Sequence, residues 1–234
     1  MAILKYVKAF LSNGIVNELI KLDKWKKYSK KNFIFFIGGN KKEKVMIGLK
    51  YLGKKFNYIV PSGVVLNSIL KAKGFQIGKS LYFKEAKIKN VINNFLKKNT
   101  KKIILPSRFL ILEQKKNKKK VKFLNEIKET DTIAGYLHTK KLDNLLSKKC
   151  KKIHKILFSG TPSLVKKKVV EPTRYLSKRF KNIKSNILIL GGDSANDLKR
   201  RKNVSSGGGS SLKYISNNRL EIITELYKNK RIFK

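Results

Sequence analysis

The sequence predicts an α/β fold: a Rossmann-like parallel sheet with helices on both faces in three α/β/α layers, with short basic N- and C-terminal extensions. Three observations predict it: short apolar runs ending in glycine turns, helical spacings of apolar residues between those runs, and the regular alternation of the two. Residues 32–37, Asn-Phe-Ile-Phe-Phe-Ile, form a continuous apolar run closed by Gly38-Gly39, the pattern of a parallel strand buried on both faces. Helical spacing follows through Val45, Ile47, Leu49 and Leu52. A second strand, Tyr58-Ile59-Val60, then stops at Pro61-Ser62-Gly63. Val64 to Lys73 reads as a helix with Gly74 just past its end, a position that favours glycine. Ile88, Val91, Ile92, Phe95 and Leu96 share one helical face, and a strand is expected over residues 102–105.

Beyond the apolar run Phe109 to Leu112, the lysine run of residues 115–120 reads as a solvated hairpin or loop. Lys155 to Phe158 and Asn186 to Leu190 are further strands, closed by Ser159-Gly160-Thr161-Pro162 and Gly191-Gly192-Asp193-Ser194. A last helix is expected from Asn218 to Tyr227. Each of these glycine turns follows a strand, at the edge where open α/β sheets bind ligands. Residues 32–228 are expected to form one domain, preceded by an extension over 1–31 and followed by a basic tail over 229–234. Met1 to Ile20 reads as an amphipathic docking helix, with an organelle-targeting helix as the alternative.

The 234 residues carry 57 Lys plus Arg against 14 Asp plus Glu, a formal net charge of +43. Such an excess repels itself and makes sense beside a polyanion, which argues against an ordinary metabolic enzyme. With 41% hydrophobic and 10% aromatic residues, the chain is nonetheless expected to fold. Cys150 is alone, and His138 and His154 are too few and too far apart for a zinc motif, so no metal site is expected. No apolar run approaches the ~20 residues that cross a bilayer, so an integral membrane protein is not expected.

Three glycine turns could carry chemistry: Gly38-Gly39-Asn40-Lys41, the Gly191 to Ser194 turn, and residues 205–211, Ser-Ser-Gly-Gly-Gly-Ser-Ser. Backbone N–H groups in such turns can surround a phosphate, a lysine can neutralise it, and an aspartate can hold Mg²⁺. The candidate phosphate-site residues are Gly38, Gly39, Lys41, Asp193, Ser194, Gly207, Gly208 and Gly209. With their flanks these segments form an ordered set. Residues 70–81, Leu-Lys-Ala-Lys-Gly-Phe-Gln-Ile-Gly-Lys-Ser-Leu, residues 190–195, Leu-Gly-Gly-Asp-Ser-Ala, and residues 205–212 are joined by Phe36-Ile-Gly-Gly-Asn-Lys41 and Leu105-Pro106. In this order the chain resembles the C-terminal, nucleotide-binding half of phosphoglycerate kinase.

The departures from that family shape the functional expectation. The resemblance implies a second lysine four residues after Lys41; Val45 stands there, with Lys44 displaced by one. The glycine-rich turn that lies against adenine is represented by Pro61-Ser62-Gly63-Val64, and the family's ribose-binding Glu is replaced within Lys166-Lys167-Lys168. Arg108 stands where the family has Asp. Residues 1–31 are too short to encode the family's glycerate-binding domain. The site is therefore expected to be eroded and non-catalytic, with no cofactor retained beyond a residual capacity for Mg-ATP or Mg-ADP.

The sequence reading then assigns the lysines to RNA. Lys26, Lys27, Lys30, Lys31, Lys115, Lys116, Lys118, Lys119, Lys120, Lys148, Lys149, Lys151, Lys152, Lys166, Lys167, Lys168, Lys199, Arg200, Arg201 and Lys202 recur in small groups suited to phosphate contacts. The expected function is a non-catalytic, phosphoglycerate-kinase-like structural component of a mitochondrial ribosome, with a cytoplasmic location as the alternative, rRNA and ribosomal proteins as partners and no homo-oligomer. The alternatives are a residual Mg-nucleotide-binding or phosphoryl-transfer subunit and a peripheral protein of anionic membranes.

Overall fold

A computed structural model describes residues 6–26, 33–113, 118–147, 155–164, 169–182, 186–216 and 220–232. Its centre is a five-stranded parallel sheet of β1 (Phe33–Ile37), β2 (Tyr58–Pro61), β6 (Lys155–Ser159), β7 (Asn186–Leu190) and β8 (Val204–Ser205), in the order β2-β1-β6-β7-β8. The chain leaves β1 to build β2 on one side and returns to build β6 on the other. The order therefore reverses between β1 and β6, and such a switch point opens a crevice at the C-terminal ends of the strands.

Strand alternation divides the core into two faces. Phe33, Phe35 and Ile37 of β1 pack with Leu157 and Leu188 against Leu22 and Trp25 of α1 (Asn13–Lys26), a π-helix over Lys44–Leu52, α3 (Ala86–Asn99) and α7 (Gly208–Ile215). Ile34 and Phe36 face the other way with Ile156, Phe158 and Ile189. They meet Leu176 and Phe180 of α5 (Glu171–Asn182), Leu142 of α4 (Lys140–Leu145) and Ala195 of α6 (Gly192–Asp197). Helix α2 (Gly63–Ala72) sits at the sheet margin, with Val65 and Ile69 on one face's core and Leu66 and Leu70 on the other's. The three-layer α/β/α architecture is thus the one expected, and its physical basis is that every β1 side chain is buried.

Several elements differ from expectation. The strand placed at 102–105 is a 3-10 turn, Thr100–Lys102, followed by a single parallel bridge from Ile103 to Ile59, because Pro106 cannot donate to a continuing ladder. The lysine run is not simply a loop. Its second half forms β4 (Lys118–Phe123), which with β3 (Arg108–Glu113) and β5 (Ile133–Tyr136) makes an antiparallel sheet in the order β4-β3-β5. Residues 6–12 are not helical and α1 starts at Asn13, residues 1–5 of the expected docking helix lying outside the described residues, and the last helix, α8, runs from Glu221 to Ile232.

A histidine is largely enclosed where β5 meets α5. His138 stacks on Tyr175 at 4.1 Å between ring centroids, meets Tyr136 edge-on, and is 3.1 Å from the Pro172 carbonyl through Nε2. Burial, with a smaller push from Arg179, lowers its pKa from 6.5 to about 4. The unfolded chain therefore takes up this proton first. Stability should be intact above about pH 6.5 and fall by roughly 2 to 3 kcal/mol as the pH drops towards 4. Denaturant midpoints measured against pH check this: His138→Gln should lose that component of the slope.

Candidate functional site at the switch point

Five turns meet at the C-terminal edge of the sheet, and two of them touch at the switch point. The Gly38 amide donates to the Ser159 carbonyl at 2.8 Å, and a Cβ added at Gly160, whose φ is +111°, would lie 2.4 Å from the carbonyl carbon and oxygen of Gly38. Only glycine permits that crossing. Next along the edge, the Gly160 amide donates to Ser194 Oγ at 3.2 Å, which ties the β6 turn to the start of α6. The Gly191 amide donates to the Ser205 carbonyl at 2.8 Å, and a Cβ at Gly191 would come 3.7 Å from the Cα of Gly208. The turns bearing Gly38-Gly39, Asp193-Ser194 and Gly207 to Gly209 thus form one continuous rim.

Two glycines of this rim have no reason within the fold to be glycine. Gly192 and Gly209 have ordinary φ values, and an added Cβ would meet nothing within 4 Å. What they leave is open space beside backbone amides. The helices that begin on this rim, α2 at Ser62, α6 at Gly191 and α7 at Gly207, have no side-chain cap, whereas Thr139 caps α4 elsewhere through its side chain. Uncapped N–H groups of an eight-residue helix such as α7, facing a glycine turn, suit a phosphate. Asp193 is exposed at the first turn of α6, and Lys41 is exposed on the β1 turn.

The residue that sequence reasoning set aside lies at the switch point. Val45 is fully buried in the core, but Lys44, at 8% exposure, opens the π-helix and sends its Nζ across the switch point to donate to Ser159 Oγ. The one-residue displacement therefore does not remove a lysine from the site. On the β2 side, Ser62 is buried and donates to the Thr161 carbonyl at 3.1 Å, and its Oγ occupies the place a Cβ on Gly38 would take, 1.8 Å away. Among the described residues no three of His, Cys, Asp and Glu gather into a metal site. Asp193 alone would hold Mg²⁺ only together with oxygens brought by a nucleotide, a donor set that suits Mg²⁺.

Some of the lysines assigned to RNA make ties within the fold, and others are exposed. Lys26 pairs with Asp23 at 3.0 Å and lies 3.2 Å over the Tyr214 ring, binding α1 to α7. Lys119 pairs with Glu171, joining β4 to α5, and Lys120 neighbours it on the same strand. Arg200 donates to the Phe180 carbonyl at 3.0 Å, while Lys199, Arg201 and Lys202 are exposed on the turn before β8. Lys118 begins β4. Lys27, Lys30, Lys31, Lys115, Lys116, Lys148, Lys149, Lys151, Lys152, Lys166, Lys167 and Lys168 lie outside the described residues.

Fold and rim together define an open parallel α/β domain whose glycine turns gather at its strand ends. The chain belongs to the phosphoglycerate kinase family, whose family model matches residues 1–218. It is 29% identical over 212 residues to the phosphoglycerate kinase of Wigglesworthia glossinidia brevipalpis, covering 87% of this chain and 52% of that one. It is 28% identical over 228 residues to that of Malacoplasma penetrans, covering 92% and 48%. The phosphoglycerate kinase structure from Coxiella burnetii superposes with a TM-score of 0.76 at 21% identity, covering 92% of this chain and 57% of that one. That from Pyrococcus horikoshii gives 0.68 at 16%. The chain spans about half the length of the curated relatives it matches.

These findings overturn the expectation of a ribosomal pseudoenzyme. Family membership is to an enzyme, the relatives named above are kinases, and nothing in them indicates a ribosomal role. The inference of a non-catalytic scaffold rested on surplus lysine and on apparent erosion of the site. Lys26 and Lys119 instead make ties within the fold, and Lys44 returns to the sheet edge.

Proposed function

We propose that this chain is the nucleotide-binding half of a phosphoglycerate-kinase-type phosphotransferase, taking Mg-ADP or Mg-ATP on the rim. The observation that carries this is the convergence of the glycine turns at the switch point, with room at Gly192 and Gly209 and both Lys44 and Asp193 beside it. Amides of α7 and the Gly207 to Gly209 turn bind phosphate oxygens, and Lys41 and Lys44 offset their charge. Asp193 would hold Mg²⁺, which would supply Lewis-acid neutralisation of phosphate charge. Phosphoryl transfer depends on positioning and charge neutralisation more than on covalent chemistry, which matches the inventory of this rim. The resemblance assigns the glycerate substrate to the other half of the kinase, which would close on this rim for transfer. The large positive charge raises the encounter rate with an anionic nucleotide.

Titration calorimetry tests the reading. Mg-ADP should bind saturably at millimolar concentration or tighter, and Asp193→Ala should weaken it at least tenfold. Gly209→Ala should also weaken it without lowering the denaturant midpoint, since its new methyl group meets only open space. Wild-type protein that shows no saturation would exclude the proposal.

A further inference from the structure

Lys44 is held in an unusual way. It is 8% exposed, and the partner the structure gives its ammonium is the neutral hydroxyl of Ser159, itself wholly buried at the end of β6. A single hydroxyl compensates poorly for a desolvated charge. The charged groups whose fields reach it are Lys41, which opposes its charge, and Glu43, which favours it, both on exposed positions of the preceding turn. Among the described residues, the packed strands give it the Ser159 hydroxyl, whose carbonyl is bonded to the Gly38 amide. Desolvation, with Lys41, brings its pKa from 10.5 down to about 8.

Its local backbone is equally unusual. Lys44 begins a nine-residue π-helix, whose end is marked by the Gly53 amide donating to the Gly48 carbonyl at 2.9 Å. Such i→i+5 geometry is uncommon and concentrates at functional sites. Gly48 allows the π-helix to press on β1, since a Cβ there would lie 2.5 Å from Ile37 Cδ1. This packing holds the start of the helix over the switch point. From Ser159 the rim continues in one residue to Gly160, whose amide reaches Ser194 beside Asp193. The ammonium thus waits one turn from the phosphate candidates.

We infer that Ser159 is an exchangeable holding partner for Lys44, and that a phosphate of the bound nucleotide displaces it to take the ammonium directly. The inference rests on the nucleotide reading above and adds how the site is regulated. Replacing a hydroxyl by an oxyanion restores the full charge of a lysine that is part neutral when unliganded. Binding therefore takes up a proton at alkaline pH, and affinity falls as the pH rises through 8.

Calorimetry on the whole chain, titrating Mg-ADP at pH 7 and pH 8 in two buffers of different ionisation enthalpy, reads this directly. Wild type should take up about half a proton per nucleotide at pH 8 and about a tenth at pH 7. Lys44→Met should bind roughly 10- to 100-fold more weakly and lose the uptake, the scale of one lost charge-assisted contact. Ser159→Ala should bind several-fold more tightly at pH 7, because the unliganded lysine loses its partner; a merely structural serine would weaken binding instead. If Lys44→Met binds Mg-ADP as wild type does, or Ser159→Ala weakens binding, the holding role is wrong and the nucleotide reading survives. Should Mg-ADP fail while inorganic pyrophosphate binds with Lys44-dependent uptake, the nucleotide reading falls and the holding role stands. If neither ligand binds, both are wrong.

Discussion

Gly160→Ala is expected to destabilise the protein by about 4 kcal/mol or more, or to prevent folding, an exceptional effect for the addition of one methyl group. The cause is twofold. At φ +111° an alanine is strained wherever it sits, and its Cβ would lie 2.4 Å from the Gly38 carbonyl carbon and oxygen and 2.9 Å from the Gly38 Cα. These are backbone atoms and cannot swing aside. Gly38 cannot retreat either, because its amide is bonded to the Ser159 carbonyl at 2.8 Å and Ser62 Oγ packs against its other side. Relief requires β1 and β6 to separate at their C-terminal ends, where Phe36 and Phe158 share the core. Denaturant unfolding measures the loss. Gly192→Ala is the control: it meets nothing within 4 Å, needs no positive φ, and should shift stability by no more than about 0.5 kcal/mol.

Lys44→Met should stabilise the unliganded protein, and by an amount that depends on pH. The folded-state pKa of about 8 lies below the ordinary 10.5, so folding penalises the charged lysine. Between those values the unfolded chain binds the extra proton, and wild-type stability rises with pH across that window. Below pH 8 the full penalty applies, on the order of 3 kcal/mol, and methionine, which fills a similar volume without charge, removes it. The difference in unfolding free energy between variant and wild type should therefore be largest near pH 7 and shrink towards pH 10. Taking the difference cancels the self-repulsion of the other lysines, which both proteins share. A variant less stable than wild type at pH 7 would show that Lys44 is a net stabilising contact instead. Methionine would gain stability and lose phosphate affinity, the usual trade at a preorganised site.

Much of the site was legible because turns after buried strands leave a clear mark in sequence. Residues 33–37 carry apolar side chains throughout and stop at Gly38-Gly39, and Asn186 to Leu190 stop at Gly191-Gly192; in both places the structure ends a strand. The 190–195 and 205–212 segments could be joined into one phosphate rim only because their order, with their flanks, was informative. Lys44 was missed because residue spacing assumes α-helical register. The amide of residue 53 bonds five residues back, to Gly48, which packs against Ile37, and no periodicity displays this. The charge on β4 misled in a similar way. The run of residues 115–120 reads as a solvated loop, and the strand character of residues 118–123 comes from pairing with the apolar β3, which lies earlier in the chain.

By itself, then, the sequence determined the layers and the places where the chain must turn. Burial on both faces demands unbroken apolar runs, and close backbone approach demands glycine; both are local properties of residue type. The tertiary structure alone decided the strand order β2-β1-β6-β7-β8, the crossing of Gly160 over Gly38, and the reach of Lys44 to Ser159. The last two join residues more than 100 positions apart, and the energy of all three exists only when the sheet has closed.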